Sequence, residues 1–428
     1  MESAGSSATI FALSSGPPPC AVAVIRISGP GAAGAAAALS GRPPPPPRRA
    51  AVRRLSDPRT GVALDEALLL WFPGPQSATG EDVLEVHAHG GPAVVAGILG
   101  ALGALPGLRP AEAGEFARRA FLSGRIDLTQ AEALADLVAA ETEAQRDQAL
   151  AGVGGRLRGL AEGWRARLVG LLAEVEAELD FADEADVAAV RPAAEVGALA
   201  SEIAAALATA ETGERVRQGL TIAVAGPPNA GKSSLVNALA RREVAIVTPH
   251  AGTTRDVLEV RLDLGGVPAT LLDTAGLREA ADPVEAEGIA RARARAAEAD
   301  LVLGFFDTPG HLRVVNRIDE TGEEPGVRGG TAYVSARTGA GIADLEAWLV
   351  GWARRRVPRG APALVTHLRQ RFWLERAQAA LGGAEREADP VLRAEALRGA
   401  AHALGRLTGA IDPEEVLGAI FARFCIGK

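Results

Sequence analysis

Residues 20–28, 66–72 and 82–89 are short apolar or alternating runs set off by Gly, Pro and polar stretches, a pattern that predicts strands. The apolar segment after Pro92, through Leu105, predicts a helix among them, and the Pro43–Pro47 run an extended loop. From Glu112 to Leu179 the period changes: apolar residues recur every three or four positions, broken near Gly124 and at Gly152–Gly155. That is helical territory, resumed from Ala193 to Glu211. The apolar run Leu220–Ala225 opens a different rhythm, with a helix from Lys232 to Ala240 and strand-like runs at 257–264, 268–272, 300–306, 312–315 and 331–334. Strands alternating with helices and loops predict an α/β nucleotide-binding domain. After Pro362 the helical period returns over 363–387, 391–408 and 413–424. The predicted fold is multidomain, α+β and α/β: an N-terminal α+β domain, then a discontinuous helical domain interrupted by an inserted α/β domain.

Composition narrows the setting. No apolar run reaches membrane-spanning length, the first residues lack a secretory signal, and the cysteines are only Cys20 and Cys425. The chain reads as a cytoplasmic protein without a membrane span. A net charge of −8 excludes an overall basic coat, while a local arginine patch remains compatible with RNA. Of 45 basic residues only Lys232 and Lys428 are lysine; Lys232 marks a position where a guanidinium is too wide, and Lys428 is either a second such position or a chance survivor.

Lys232 lies in Gly226-Pro-Pro-Asn-Ala-Gly-Lys-Ser233, a G-x-x-x-x-G-K-[ST] loop between a predicted strand and helix. Backbone N–H groups over Asn229, Ala230, Gly231, Lys232, Ser233 and Ser234 suit phosphate oxygens, and the Ser233 hydroxyl suits Mg²⁺. Downstream stand Gly252-Thr253-Thr254, Asp273-Thr274-Ala275-Gly276, Asn316-Arg317-Ile318-Asp319 and Ser335-Ala336-Arg337, in guanine-nucleotide-domain order. Thr254 suits the metal and γ-phosphate, Asp273 the metal through water, and Gly276 the γ-phosphate. Asp319, an acceptor-only carboxylate, suits the N1–H and 2-amino donors of guanine. Asn316-Arg317 replaces the usual Asn-Lys pair. Leu277 occupies the place where a Ras-like enzyme carries its water-orienting Gln, which directs attention to Glu285 or Glu287. Asp307-Thr308-Pro309-Gly310 reads as a turn, and the stretch between Phe306 and Leu312 is too short for a crossover helix. His87 and His89 share a strand face without a third metal ligand.

With Thr79-Gly-Glu-Asp-Val-Leu-Glu85, Gly114-Glu-Phe116, Ala120-Phe-Leu122, Asp127-Leu-Thr-Gln-Ala-Glu132 and Cys425-Ile-Gly-Lys428, the sequence resembles the tRNA modification GTPase family (MnmE/TrmE) over nearly its whole length. The resemblance implies a tetrahydrofolate-binding and dimerisation domain at 1–117, helical parts at 118–214 and 359–428, and a Ras-like P-loop G domain at 215–358. It implies GTP hydrolysis with Mg²⁺ and with K⁺ held by Asn229, Thr248, His250 and Thr253, and it favours Glu285 as the residue orienting water. For 5-formyltetrahydrofolate or another one-carbon tetrahydrofolate it implies Arg26, Glu85, Arg125 and Lys428. Cys425 is either an inert thiol or part of the one-carbon site. The implied assembly is a homodimer that joins an FAD-containing MnmG/GidA-type partner in a heterotetramer adding a carboxymethylaminomethyl or aminomethyl group at C5 of wobble uridine 34 of certain tRNAs. The alternative is a regulatory or ribosome-assembly G protein without one-carbon chemistry.

Overall fold

The computed structural model describes residues 8–180, 193–227, 229–242, 259–273, 298–306, 311–357, 360, 362–411, 417, 420–421, 424 and 427. They form two compact units, 1–135 with 405–428, and 136–404.

In the first unit β1 (Thr9–Leu13), β2 (Cys20–Ser28), β3 (Ala51–Ser56), β4 (Ala63–Phe72), β5 (Val83–Gly90) and β6 (Leu108–Pro110) make one sheet, ordered β3-β4-β5-β2-β1-β6. All neighbours are antiparallel except β1 and β6. Strand alternation gives the sheet two faces. Ile25, Ile27, Leu69, Leu84 and Val86 point into a core with Leu39 of α1 (Ala32–Ser40) and Ile98 and Leu102 of α2 (Pro92–Gly103). The intervening residues Arg26, Ser28, Glu85 and His87 lie on the other face. After α3 (Glu115–Leu122) and α4 (Leu128–Ala139), the C-terminal stretch returns: Leu417, Ile420, Phe421 and Phe424 bury themselves against Ala117, Leu128 and Ala131.

The second unit opens with α5 (Glu143–Val153), α6 (Arg156–Asp180), α7 (Ala193–Leu207) and α8 (Ala210–Gln218). One residue after α8, the chain enters β7 (Leu220–Ala225) and then α9 (Lys232–Ala240). There follow β8 (Glu259–Asp263), β9 (Pro268–Asp273), β10 (Leu301–Gly304), β11 (Leu312–Val315), the short α10 (Ile318–Thr321), β12 (Gly326–Arg328), β13 (Thr331–Tyr333) and α11 (Ile342–Arg356). The sheet order β12-β13-β11-β10-β7-β9-β8 is parallel inside and antiparallel at both edges. Its core joins Ile222, Val224, Leu271 and Leu303 to Leu235 of α9 and Leu345 and Leu349 of α11. The chain then returns to helix in α12 (Leu368–Arg386), which packs on α7, and α13 (Pro390–Thr408).

The α/β elements are therefore inserted between helices, as the changes of period predict. Elements absent from that reading are β1, α1, β3, β6, α10, β12 and α11, and most of α8 lies beyond the helical stretch it ended at Glu211. The helical run after Glu112 also breaks once more, at 140–142, where Thr142 and Gln145 form a reciprocal capping box at the start of α5. Most of the predicted helix at 413–424 lies outside the described residues.

Candidate functional site

The parallel strands bring their C-terminal ends to one edge: Ala225 sits beside Gly304, Val224 beside Asp273, and Val315 beside Tyr333. In an open parallel sheet this edge is where ligands bind. The loop leaving β7 turns left-handed at Asn229 (φ +60°) and Gly231 (φ +94°) before α9 begins at Lys232. Lys232 is buried, and its ammonium donates to the carbonyls of Gly226 (2.9 Å) and Pro227 (2.8 Å). Ser233 Oγ donates to Asp273 Oδ2 at 2.6 Å, so the hydroxyl and carboxylate expected to serve Mg²⁺ are in direct contact. Hard oxygen donors at the mouth of a phosphate loop fit that ion.

The residues expected to meet the base also converge. Asn316 Oδ1 accepts from the Ala336 N–H (3.0 Å), while its Nδ2 donates to the Ala230 carbonyl (3.5 Å). A Cβ on Gly231 would collide with that same Nδ2. Arg317, also left-handed (φ +64°), donates to the Asn229 carbonyl at 3.2 Å. Backbone held in this sparsely populated region on both facing loops is typical of a functional site. Asp319 accepts from Ser335 Oγ at 2.5 Å and pairs with Arg337. The Ser335 bond, followed by the Arg337 charge, holds its carboxyl below the ordinary range against some desolvation. Asp319 is thus an ionised acceptor. Thr248, His250, Gly252, Thr253, Thr254, Thr274, Ala275, Gly276 and Glu285 lie outside the described residues, and Ser234 lies in the first turn of α9.

On the polar face of the N-terminal sheet, Arg26 and Glu85 are cross-strand partners. Arg26 Nε (3.0 Å) and Nη2 (2.9 Å) both donate to Glu85 Oε1, and the guanidinium stands 5.8 Å from the Phe116 ring centroid. His87 Nε2 is 3.2 Å from Glu85 Oε2. Arg125 is exposed on the turn after α3, next to Gly80, whose neighbour Thr79 accepts from Ser123 Oγ at 2.6 Å. Ser14 Oγ donates to the Gly427 carbonyl at 2.7 Å, and Gly427 (φ +102°) leaves no room for a Cβ against the Leu13 carbonyl. The chain end is therefore tied to the strand beside Arg26, since Ala12 and Arg26 are register partners. Cys425 and Lys428 themselves lie outside the described residues.

Sequence reasoning missed the ionic chain behind this face. Arg109 makes two bonds to Glu115 (2.6 and 2.8 Å), and Glu115 accepts from Arg119 (3.0 Å). Arg119 also donates to Glu81 (2.9 Å), which accepts from Ser28 Oγ (2.8 Å). Burial pushes the Glu115 carboxyl up, but bonds from Arg109, the Glu112 N–H and Arg119 outweigh it and bring it down to about 2. Glu81 and Glu115 belong to the motifs Thr79–Glu85 and Gly114–Phe116, yet nothing local in sequence pairs them. His87, weighed there only as a metal ligand, is instead a partner of Glu85.

Two family models match the chain: the GTP-binding protein TrmE N-terminus over residues 9–125, and the MnmE helical domain over residues 128–425. Among curated relatives, the tRNA modification GTPase MnmE of Azorhizobium caulinodans is 54% identical over 439 residues, covering 99% of each chain. That of Methylobacterium sp. is 53% identical, covering 98% of this chain and 99% of the relative. The protein of the same name from Rhodopseudomonas palustris is 50% identical over the same shares. Era of Aquifex aeolicus bound to GDP·AlF4⁻ is a distant likeness among solved structures, 22% identical with a TM-score of 0.23, covering 40% of this chain and 69% of that one.

Proposed function

The chain belongs to the MnmE family of tRNA modification GTPases, and from that premise we propose that it couples GTP hydrolysis to one-carbon modification of C5 of wobble uridine 34. The observation that carries the hydrolase half is the convergence of Lys232, Ser233, Asp273, Asn316 and Asp319 on one sheet edge. Lys232 exchanges its two loop carbonyls for phosphate oxygens when nucleotide enters. Ser233 and Asp273, with Thr254, hold Mg²⁺, which neutralises charge on the phosphates when bound. Asp319 receives the N–H edge of guanine, and Asn316 keeps that loop against the phosphate loop. Thr248, His250 and Thr253 would hold K⁺ together with Asn229, the ion supplying positive charge to the phosphates, and Glu285 would orient water. Phosphate and base contacts extend along Ala230, Gly231, Ser234, Gly252, Thr274, Ala275, Gly276, Ser335, Ala336 and Arg337.

The one-carbon half is supported by the Arg26–Glu85 face and the tethering of Gly427 beside it. A carboxylate with a guanidinium partner suits the amino and ring N–H donors of a pterin. Arg125 and Lys428 suit the carboxylates of the glutamate tail, and Cys425 is a candidate neighbour of the one-carbon group. Residues 1–117 form the folate-binding and dimerisation domain, 118–214 and 359–428 the helical domain, and 215–358 the G domain. Among the described residues no helix is long and apolar enough to cross a membrane, and we assign the protein to the cytoplasm as a homodimer. It works there in a heterotetramer with an FAD-containing MnmG/GidA-type partner. A purely regulatory G protein would have no use for the Arg26–Glu85 face.

Steady-state GTP hydrolysis in matched KCl and NaCl tests the first half. Marked K⁺ stimulation is expected; equal rates would defeat the K⁺ site. Calorimetric titration with 5-formyltetrahydrofolate tests the second, and no heat of binding would defeat it.

A further inference from the structure

On the polar face of the N-terminal sheet, His87 is a titratable side chain that the folate reading leaves unused. His87 is two residues after Glu85 on β5, on the same face, between its register partners Val24 of β2 and Leu68 of β4. Its Nε2 lies 3.2 Å from Glu85 Oε2, while both Arg26 bonds fall on the other oxygen, Oε1. An ionised carboxylate only accepts, so His87 Nε2 must carry a proton and be the donor.

We propose that His87 is the positioning residue of the pterin-recognition carboxylate, fixing the plane in which Glu85 presents its oxygens; this rests on the folate reading above. A glutamate's terminal torsion is soft and roughly two-fold, so an arginine bonded to one oxygen alone leaves the carboxylate free to turn about that anchor. A second donor on the other oxygen removes the freedom. A carboxylate has about four acceptor sites; Arg26 fills two on Oε1 and His87 one on Oε2. One site on Oε2 remains open. A 2-amino-4-oxo ring, with two adjacent N–H donors, takes that site and displaces one Arg26 bond, while His87 keeps the carboxylate from rotating during the exchange. Arg26 retains its contact with the Phe116 ring as it yields.

The test is calorimetric titration of the full-length protein with 5-formyltetrahydrofolate, comparing wild type, His87→Leu and His87→Gln, with thermal melting of each as the control on folding. His87→Leu keeps the bulk and loses the donor, and should weaken binding by about tenfold, the usual effect of losing one hydrogen bond to a charged group. His87→Gln restores an N–H donor and should recover most of the affinity. If His87→Leu binds as wild type does, or if His87→Gln is as weak as His87→Leu, positioning by the His87 donor is wrong. Failure of wild type itself to bind removes the folate reading and this inference together. Normal wild-type binding with an indifferent His87→Leu removes this inference alone.

Discussion

The two candidate sites are built in opposite ways. At the edge of the seven-stranded sheet, the chemistry lies on loops leaving the ends of parallel strands, and backbone groups take part in most of the contacts. On the N-terminal sheet it lies in mid-strand and on a helix, and side chains bond side chains across long stretches of sequence, as Glu81 does with Arg119 and Arg26 with Glu85. The first arrangement lets Lys232 wait on carbonyls of its own loop, and Asp273 and Asp319 on hydroxyls and a guanidinium of neighbouring loops, to swap partners when ligand arrives. The second fixes the groups before any ligand arrives. Substitutions should therefore cost binding and turnover at the first site, and stability as well at the second.

Breaking the buried ionic chain is the largest expected effect. Arg119 and Glu115 are both buried, and Arg119→Ala takes a bond from Glu115, which keeps Arg109, and another from Glu81, so it should destabilise the protein by about 2–3 kcal/mol. Urea unfolding monitored by circular dichroism reads this, and GTP affinity of the folded fraction should hold. The same carboxyl gives a pH signature. Its folded value, about 2, lies below the ordinary 4.5, so its contribution is complete above the unfolded value and is lost as pH falls from about 5 toward 2. In Glu115→Gln that part of the acid-unfolding slope should vanish.

Lys232→Ala should come next, lowering GTP turnover about 10²–10³-fold, the usual effect of losing one preorganised donor, with little change in melting temperature. Lys232→Arg sharpens the point: if a guanidinium fills the slot with near wild-type turnover, the scarcity of lysine elsewhere says nothing about this position. Asp319→Asn should weaken GTP binding by about 10–100-fold, the loss of charge-assisted bonds, and should shift preference toward xanthosine triphosphate, whose 2-oxo group accepts where guanine donates. Competition binding with both nucleotides reads the ratio. The smallest effect belongs to Arg261, which reaches from β8 to Glu141 at 2.7 Å. Arg261 is exposed, and Arg261→Ala should change stability by about 1 kcal/mol or less.

The same contrast explains what could be read from the sequence. Lys232, Asn316 and Asp319 announced themselves because each motif is contiguous and the motifs follow a fixed order along alternating strands and helices. β2 was legible residue for residue, since its apolar run is set off by Pro17–Pro19 on one side and Gly29-Pro30 on the other. β3 was not: at the sheet edge its run Ala51–Ser56 carries two arginines and buries only Leu55. Nor was α1, whose alanines supply no bulky apolar stripe at helical spacing. The break before α5 had a readable signal in Thr142-x-x-Gln145, which the long helical period masked. The pairing of Glu115, Arg119 and Glu81 was not legible, because only the fold brings them together.

The small space between Gly231 and Asn316 has a consequence for how this chain can change over time. One glycine of the phosphate loop and one amide of the base loop share a boundary that no side chain can cross. That amide also bonds the carbonyl of Ala230 and the N–H of Ala336. Three segments separate in sequence are therefore joined through one side chain. Drift at any of them must be answered at the others, so the nucleotide site is inherited, and lost, as one piece.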